Sequence, residues 1–281
     1  MKFKFSKMQG IGNDYVYVNC FEEKVENPSR AARLVSDRHF GIGSDGLVLI
    51  KPSDKADFRM DMYNADGTQA QMCGNASRCV GKYVYDRGLT DKTEITLETL
   101  AGIKTLKLNL LGGSVDTVCT NMGKPIVKSK EIPIITDKEY FIDESVTVGG
   151  KDYHVTGVSM GNPHAVVITR DIDKIEIEKI GPLFENYKLF PERINTEFTE
   201  VTDRKNIKMR VWERGAGETL ACGTGASATL AACSILGLTD RAATVHLLGG
   251  DLFIEWKDDN CIYMTGKARF VFDGIFDEEI L

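Results

Sequence analysis

The sequence has no CxxC pair and no His-x-x-x-His, so the spacings that build zinc sites are missing and no metal is expected. It has no run of lysine and arginine, and its net charge is −6, which excludes a nucleic-acid surface as its working part. A Walker A motif is also missing. No apolar segment follows the opening MKFKFSKMQG, where charges alternate with aromatics, so no secretory signal is read there. The most apolar stretch, Ala226–Leu238, has 13 residues, too few to cross a bilayer, and no membrane role is expected. The seven cysteines are an odd number without a secretory signal, which argues against a disulfide framework and for a reducing cytoplasm. Low-complexity segments and flexible linkers are lacking too.

What remains is an ordinary globular balance, 42% hydrophobic and 27% charged over 281 residues. That length suits two domains of roughly 120–150 residues each. Strand-like runs recur at Tyr15–Asn19, Gly46–Ile50, Phe58–Tyr63, Glu94–Leu97, Thr105–Leu110, Ala165–Thr169, Ile207–Trp212, Thr244–Leu248, Leu252–Trp256 and Cys261–Thr265. Several alternate apolar and polar residues, as Phe58-Arg-Met-Asp-Met62 and Ile207-Lys-Met-Arg-Val211 do, the mark of a sheet with one buried face. Two segments have helical character instead. Ala76, Cys79, Val80, Tyr83 and Val84 fall on one helical face, closed by Gly88, and Gly225–Leu236 is small and apolar on nearly every face, which predicts a helix buried all round.

The two halves repeat one another. Phe58, Met60 and Met62 lie 149 residues before Ile207, Met209 and Val211; Asn64 lies the same distance before Glu213 (213 − 64), Cys73 before Cys222 (222 − 73) and Asn13 before Asn162 (162 − 13). Coincidental glycine-rich turns do not produce one offset across four separate features, so a duplication is read here. The expected fold is α/β, with two pseudo-symmetric domains, residues 1–118 and 119–265. Each is a mostly antiparallel sheet wrapped around a central helix, residues 266–281 pack back onto the first domain, and the active site lies in the cleft between the two.

Each half delivers a cysteine, after a strand and a glycine turn, to the start of a helix: Asn64-Ala-Asp-Gly-Thr-Gln-Ala-Gln-Met-Cys73-Gly74-Asn75 and Glu213-Arg214-Gly-Ala-Gly-Glu-Thr-Leu-Ala-Cys222-Gly223-Thr224. A helix start presents unpaired N–H groups and partial positive charge, which favour a thiolate and can hold a carboxylate. Two such starts related by a pseudo-twofold suit inversion at an α-carbon: one thiolate takes a proton from one face and the other thiol returns one to the opposite face. Cys20, Cys79, Cys119, Cys233 and Cys261 lack this context and read as small core residues. Other readings compete. Gly223-Thr-Gly225-Ala-Ser-Ala228 fits a dinucleotide pattern, but the polar ERGAGETLA before it is no buried strand. A Cys–His hydrolase using His164 leaves one cysteine unit unexplained. A two-domain binding protein would tolerate loss of either cysteine.

The segments MQGIGNDY, NADGTQAQMCGNASRC, MGNPH and ERGAGETLACGTGAS resemble the motifs of the diaminopimelate epimerases, a likeness running from Met8 to about Phe272. The resemblance implies a pyridoxal-independent enzyme with no cofactor, interconverting LL- and meso-diaminopimelate in the bacterial cytoplasm for lysine and peptidoglycan-precursor synthesis, and a homodimer. It implies Cys73 and Cys222 as the acid/base thiols, the first usually the donor and the second the acceptor for the LL isomer. Asn13, Asn64, Asn162, Asn195, Glu213 and Arg214 match side chains that hold the substrate, Arg214 as a bidentate fork. Gly74–Asn75 and Gly223–Thr224 match the backbone N–H cradles, and His164 and Glu213 match residues that tune or position the reacting centre. Three positions depart from the pattern. Gly46, 149 before Asn195 (195 − 46), stands where many members have Gln, leaving backbone contact or none. Ala76 replaces a common Gly harmlessly. Phe272, a candidate dimer contact, replaces a Tyr and lacks its hydroxyl. Relatives acting on proline, hydroxyproline or histidine share the two-thiol logic, so the substrate rests on the resemblance alone.

Overall fold

The run Gly46-Leu-Val-Leu-Ile50 has no polar residue to turn toward water, and it forms a strand buried on both faces. In the computed structural model, which describes residues 1–280, Leu47 and Leu49 pack on one side of that strand and Val48 and Ile50 on the other, as a period of two requires. The chain divides into two compact units, Met1–Thr120 with the stretch from Thr265 onward, and Asn121–Met264.

The first unit begins with β1 (Lys2–Gly10), β2 (Asn13–Asn19), α1 (Pro28–Ser36), β3 (Gly46–Lys51), β4 (Phe58–Asn64), β5 (Gln69–Ala70), α2 (Gly74–Asp86), β6 (Glu94–Thr99), β7 (Gly102–Leu111) and β8 (Ser114–Gly123). The second contains β9 (Glu144–Val148), β10 (Lys151–Ser159), β11 (Pro163–Ile168), α3 (Ile177–Glu185), β12 (Asn195–Asp203), β13 (Asn206–Glu213), β14 (Gly217–Thr219), α4 (Gly223–Ile235), β15 (Ala242–Leu247) and β16 (Gly250–Trp256). After β17 (Ile262–Lys267), β18 (Arg269–Asp277) pairs antiparallel with β1, from Lys2 opposite Asp277 to Gln9 opposite Arg269. The 149-residue offset extends beyond the motifs: it separates β1 from β10 (151 − 2), α1 from α3 (177 − 28) and α2 from α4 (223 − 74).

The pairing is mixed rather than purely antiparallel. In each unit two parallel pairs interrupt the hairpins: β2–β3 and β4–β6 in the first, β11–β12 and β13–β15 in the second. A parallel pair needs a crossover, and each of the four contains a helix. The crossover helices α1 and α3 are not announced by apolar spacing. α1 spans nine residues and starts on local chemistry, with the Asn27 side chain accepting from Arg30 N–H at 3.0 Å and Pro28 in the first turn. α2 and α4 follow the sequence reading closely. Gly88, just past α2, has φ +71° and donates to Tyr85 O at 2.9 Å, and α4 is buried from Gly225 through Cys233.

In the first unit, α2 packs with Met8, Tyr17, Val48, Met60, Ile95 and Leu106 on one face of the strands, and α1 packs with Phe3, Val16, Leu47 and Phe276 on the other. In the second, Phe184 of α3 packs among Val155, Val167 and Phe198. Among the described residues no helix is long and apolar enough to cross a membrane.

The glycine at position 46 has a steric cause. A Cβ there would lie 2.0 Å from Tyr63 O and 2.8 Å from a ring carbon of Tyr15. Gly46→Ala is expected to cost about 1–3 kcal/mol of stability, the usual penalty of overpacking, measured by urea denaturation. An unchanged midpoint would mean that β3 shifts away from Tyr63 freely.

Candidate active site

Cys73 and Cys222 occupy the same place in their units, the last extended residue before a crossover helix, with φ −137°, ψ 123° and φ −126°, ψ 111°. A side chain at that position faces the unpaired N–H groups of the first turn. At Cys222 this capping bond is made, with Gly225 N–H donating to Sγ at 3.4 Å.

In the first unit the Cys73 thiol donates to Asn13 Oδ1 at 3.4 Å, and Asn13 Nδ2 donates to Asp45 at 2.8 Å. Asp45 in turn accepts from Arg38 at 3.0 Å. Asn64 ends β4 and donates to Thr68 Oγ1 at 3.0 Å, across the turn that leads toward the cysteine. The Asn75 amide oxygen is held from inside by Arg78 Nη2 at 2.7 Å, so what this residue offers outward is its place in the first helical turn.

The second unit has a longer network. Thr224 Oγ1 lies 3.4 Å from Cys222 Sγ and accepts from Asn162 Nδ2 at 3.3 Å. Asn162 Oδ1 is 3.0 Å from His164 Nε2, and His164 Nδ1 is 2.7 Å from Glu197 Oε1. Glu213 accepts from the Thr219 hydroxyl. Asn195 is buried, with both ends of its amide on backbone: Nδ2 donates to Pro163 O and Oδ1 accepts from Arg214 N–H, each at 3.0 Å. The Arg214 guanidinium donates to Glu192 O at 3.0 Å. Gly223 lies where a Cβ would meet the Met264 sulfur at 2.8 Å.

Burial, then the nearby Glu213 carboxylate, push the Cys222 thiol well above its ordinary range, against the donors at Thr224 and Gly225. Burial also raises the Glu213 carboxyl. A carboxyl raised on folding is protonated more readily in the folded state, so its ionisation costs stability as pH climbs through the carboxylate range and beyond. Glu213→Gln keeps the acceptor oxygen and removes that penalty. Its melting temperature is expected to exceed the parent's at pH 8, with the difference shrinking toward pH 4; the opposite trend would contradict a carboxyl raised by burial.

The other five cysteines divide. Cys79 and Cys233 are buried core thiols, pushed up by burial to about 11 and about 12, whereas Cys20, Cys119 and Cys261 are half-buried rather than core.

Sequence reasoning missed Asp45, Arg78, Thr219 and Glu197. Glu197 left a signal: it stands two residues after Asn195, so both share a face of β12, and an acidic residue on the inner face of a strand needs a partner.

The geometry agrees with known folds. A PhzF-family phenazine biosynthesis protein of Bacillus anthracis superposes with TM-score 0.72 at 16% identity, over 99% of both chains. A hydroxyproline epimerase from Agrobacterium vitis, solved with trans-4-OH-L-proline, superposes with TM-score 0.70 at 15% identity, over 98% of this chain and 92% of that one. The fold is therefore that of the PhzF and proline-racemase-like proteins. A family model described as diaminopimelate epimerase matches residues 5–128 and 156–271. The diaminopimelate epimerase of Acetivibrio thermocellus is 61% identical over 275 residues, 98% of each chain, and that of Methanococcus maripaludis is 58% identical over 275 residues, 98% of this chain and 99% of the relative. This chain belongs to the diaminopimelate epimerase family.

Proposed function

We propose that this chain is an epimerase that interconverts LL- and meso-diaminopimelate by two-base proton transfer at Cα, in lysine and peptidoglycan-precursor synthesis, with Cys73 and Cys222 as the two thiols. The observation that carries the reading is the pair of cysteines in matching positions at crossover-helix starts, in a chain 61% identical to a diaminopimelate epimerase. One thiolate takes the α-proton: the C–H bond breaks, an S–H bond forms and charge spreads from Cα into the carboxylate. Backbone N–H groups at Gly74–Asn75 and Gly223–Thr224 stabilise that charge. The second thiol then delivers its proton to the opposite face, which leaves the two sulfurs with exchanged protonation states, ready for the reverse direction. Glu213, whose charge acts on the Cys222 thiol, takes the thiol's own proton when Cys222 is the base, which leaves the thiolate that removes the α-proton. Asn13, Asn64, Asn162 and Asn195 hold the amino and carboxylate groups with Arg214, whose planar fork suits the distal carboxylate. His164 acts from inside the second unit, through its neighbours.

Turnover in D2O without pyridoxal phosphate tests the reading. Deuterium is expected at Cα of the inverted product with diaminopimelate. Comparable turnover of proline or histidine would replace the substrate, and ester or amide cleavage would replace the reaction. The enzyme acts as a homodimer in this reading, with the exposed β18 side chains Val271, Phe272 and Ile275 as the contact, and seven cysteines without a secretory signal suit the cytoplasm.

A further inference from the structure

We propose that Glu197 is a positioning residue for the chemistry at Cys222: with His164 it forms a buried one-proton dyad that directs a hydrogen-bond chain, through Asn162 and Thr224, onto the Cys222 sulfur. The inference rests on the two-thiol reading above. His164 and Glu197 are both 0% exposed, so neither exchanges protons with water directly. Both ring nitrogens of His164 face oxygen, Nδ1 toward Glu197 at 2.7 Å and Nε2 toward Asn162 Oδ1 at 3.0 Å. An amide oxygen only accepts, so Nε2 carries a hydrogen. Asn162 then presents Nδ2 to Thr224 Oγ1 at 3.3 Å, which frees the Thr224 hydroxyl to donate to Cys222 Sγ at 3.4 Å. Three bonds point the same way, from ring to sulfur.

That direction requires one further proton between Nδ1 and Oε1. If the pair lost it, the hydrogen left on the ring would sit on Nδ1, facing the carboxylate. Nε2 would be bare, Asn162 would turn its NH2 toward the ring, and the chain would reverse. The second carboxyl oxygen, Glu197 Oε2, is buried and has no hydrogen-bond partner among the described residues. An anionic oxygen left so would be costly, so the shared proton rests on Oε1. When negative charge develops on the Cys222 sulfur, the proton crosses to Nδ1: the O–H bond breaks, the N–H bond forms, Glu197 becomes the carboxylate and His164 the imidazolium. No proton enters or leaves the dyad, and the donor chain onto the thiolate strengthens.

The first unit makes the contrast. At the positions 149 residues earlier stand Tyr15 (164 − 149) and Val48 (197 − 149), both part of the core. There Asp45 takes the Asn13 NH2 directly, and the amide oxygen faces Cys73. The equivalent asparagines are thus turned in opposite senses, and a histidine–carboxylate pair lies behind only the second. Gly225 makes room for it, since a Cβ at 225 would lie 2.7 Å from Glu197 Oε1 and 3.3 Å from the Cys222 sulfur.

Glu197→Gln preserves the shape and can hold neutral His164 with hydrogen on Nε2, yet it has no proton to pass. Its kcat is expected to fall about 10–100-fold, the usual loss when the partner of an active-site histidine is removed, with KM unchanged. Iodoacetamide alkylation of Cys222, followed by peptide mass spectrometry at fixed pH, is expected to slow about tenfold while Cys73 keeps its rate. This readout needs no substrate. Absence of α-proton exchange in the parent enzyme would defeat the epimerase reading and leave the alkylation result standing. A second measurement needs no variant: in protein labelled with 15N-histidine, His164 Nε2 is expected to carry a directly bonded proton. A bare Nε2, or parental alkylation and kcat in Glu197→Gln, overturns the dyad.

Discussion

Replacing either Cys73 or Cys222 by alanine is expected to reduce inversion of diaminopimelate at least about 10³-fold, because in the proposed two-base mechanism each thiol supplies one of two proton transfers that the reaction cannot omit. The variants are not expected to be inert in the same way. The surviving thiol still takes a proton from the face it serves and returns one to that same face. Cys73→Ala should therefore exchange the α-proton of one configuration with solvent deuterium, without inversion, and Cys222→Ala should exchange the other. Mass spectrometry of recovered substrate, with chiral analysis of the product, reads both quantities. The double variant should invert no worse than either single one, as expected for groups that act as a unit. A single base carrying the proton between faces predicts something different: one variant near full activity and the other without exchange of either configuration. A single-alanine variant that inverts within tenfold of the parent would sink the two-base reading.

Much of the candidate site is legible in the sequence, because its parts are local. The cysteine, its glycine turn and the start of the helix after it lie within a dozen residues, and the 149-residue offset then doubles the evidence. Strands such as Phe58–Asn64 and Asn206–Glu213 announce themselves for the same reason, since their alternation is set by one buried face. What could not be read depends on pairing at a distance. His164 lies beside Asn195 only through the parallel register of β11 on β12, and that register brings Glu197, two residues on, within reach of the ring. The neighbours of Glu197 in sequence show that it needs a partner, but not that the partner is His164. Gly46 is a similar case. Read as a lost side-chain contact, it is a position where the Tyr63 backbone and the Tyr15 ring leave no room for a side chain. The short helices α1 and α3 escaped because nine residues give too few turns for periodicity to stand out.

Arg78→Ala is expected to lower the unfolding free energy by about 3–5 kcal/mol, the cost of a large core truncation plus the lost bond to the Asn75 amide oxygen. Arg78 heads the fully buried side chains by volume and is 0% exposed, within the helix that starts after Cys73. Its Nη2 holds Asn75 Oδ1 at 2.7 Å, and its Nε reaches Lys267 O at 3.5 Å, tying the start of α2 to the chain leading into β18. Burial lowers the guanidinium's pKa, and the neighbouring Cys79, Cys73 and Tyr17 oppose that shift. Arg78→Met separates the contributions. It refills most of the volume and relieves the buried charge, but leaves the Asn75 oxygen without its guanidinium, so a loss of about 1–3 kcal/mol is expected. The attraction between Arg78 and a Cys73 thiolate is mutual, so Arg78→Met should also slow alkylation of Cys73 and leave Cys222 untouched. At the equivalent place in the second unit stands Ser227 (227 − 149 = 78), which donates only to Gly223 O at 2.9 Å. The two thiols are therefore supported by different means, a buried cation behind Cys73 and a polarised hydrogen-bond chain onto Cys222. Equal slowing of both thiols in Arg78→Met, or a urea midpoint for Arg78→Ala at the parental value, would contradict that division.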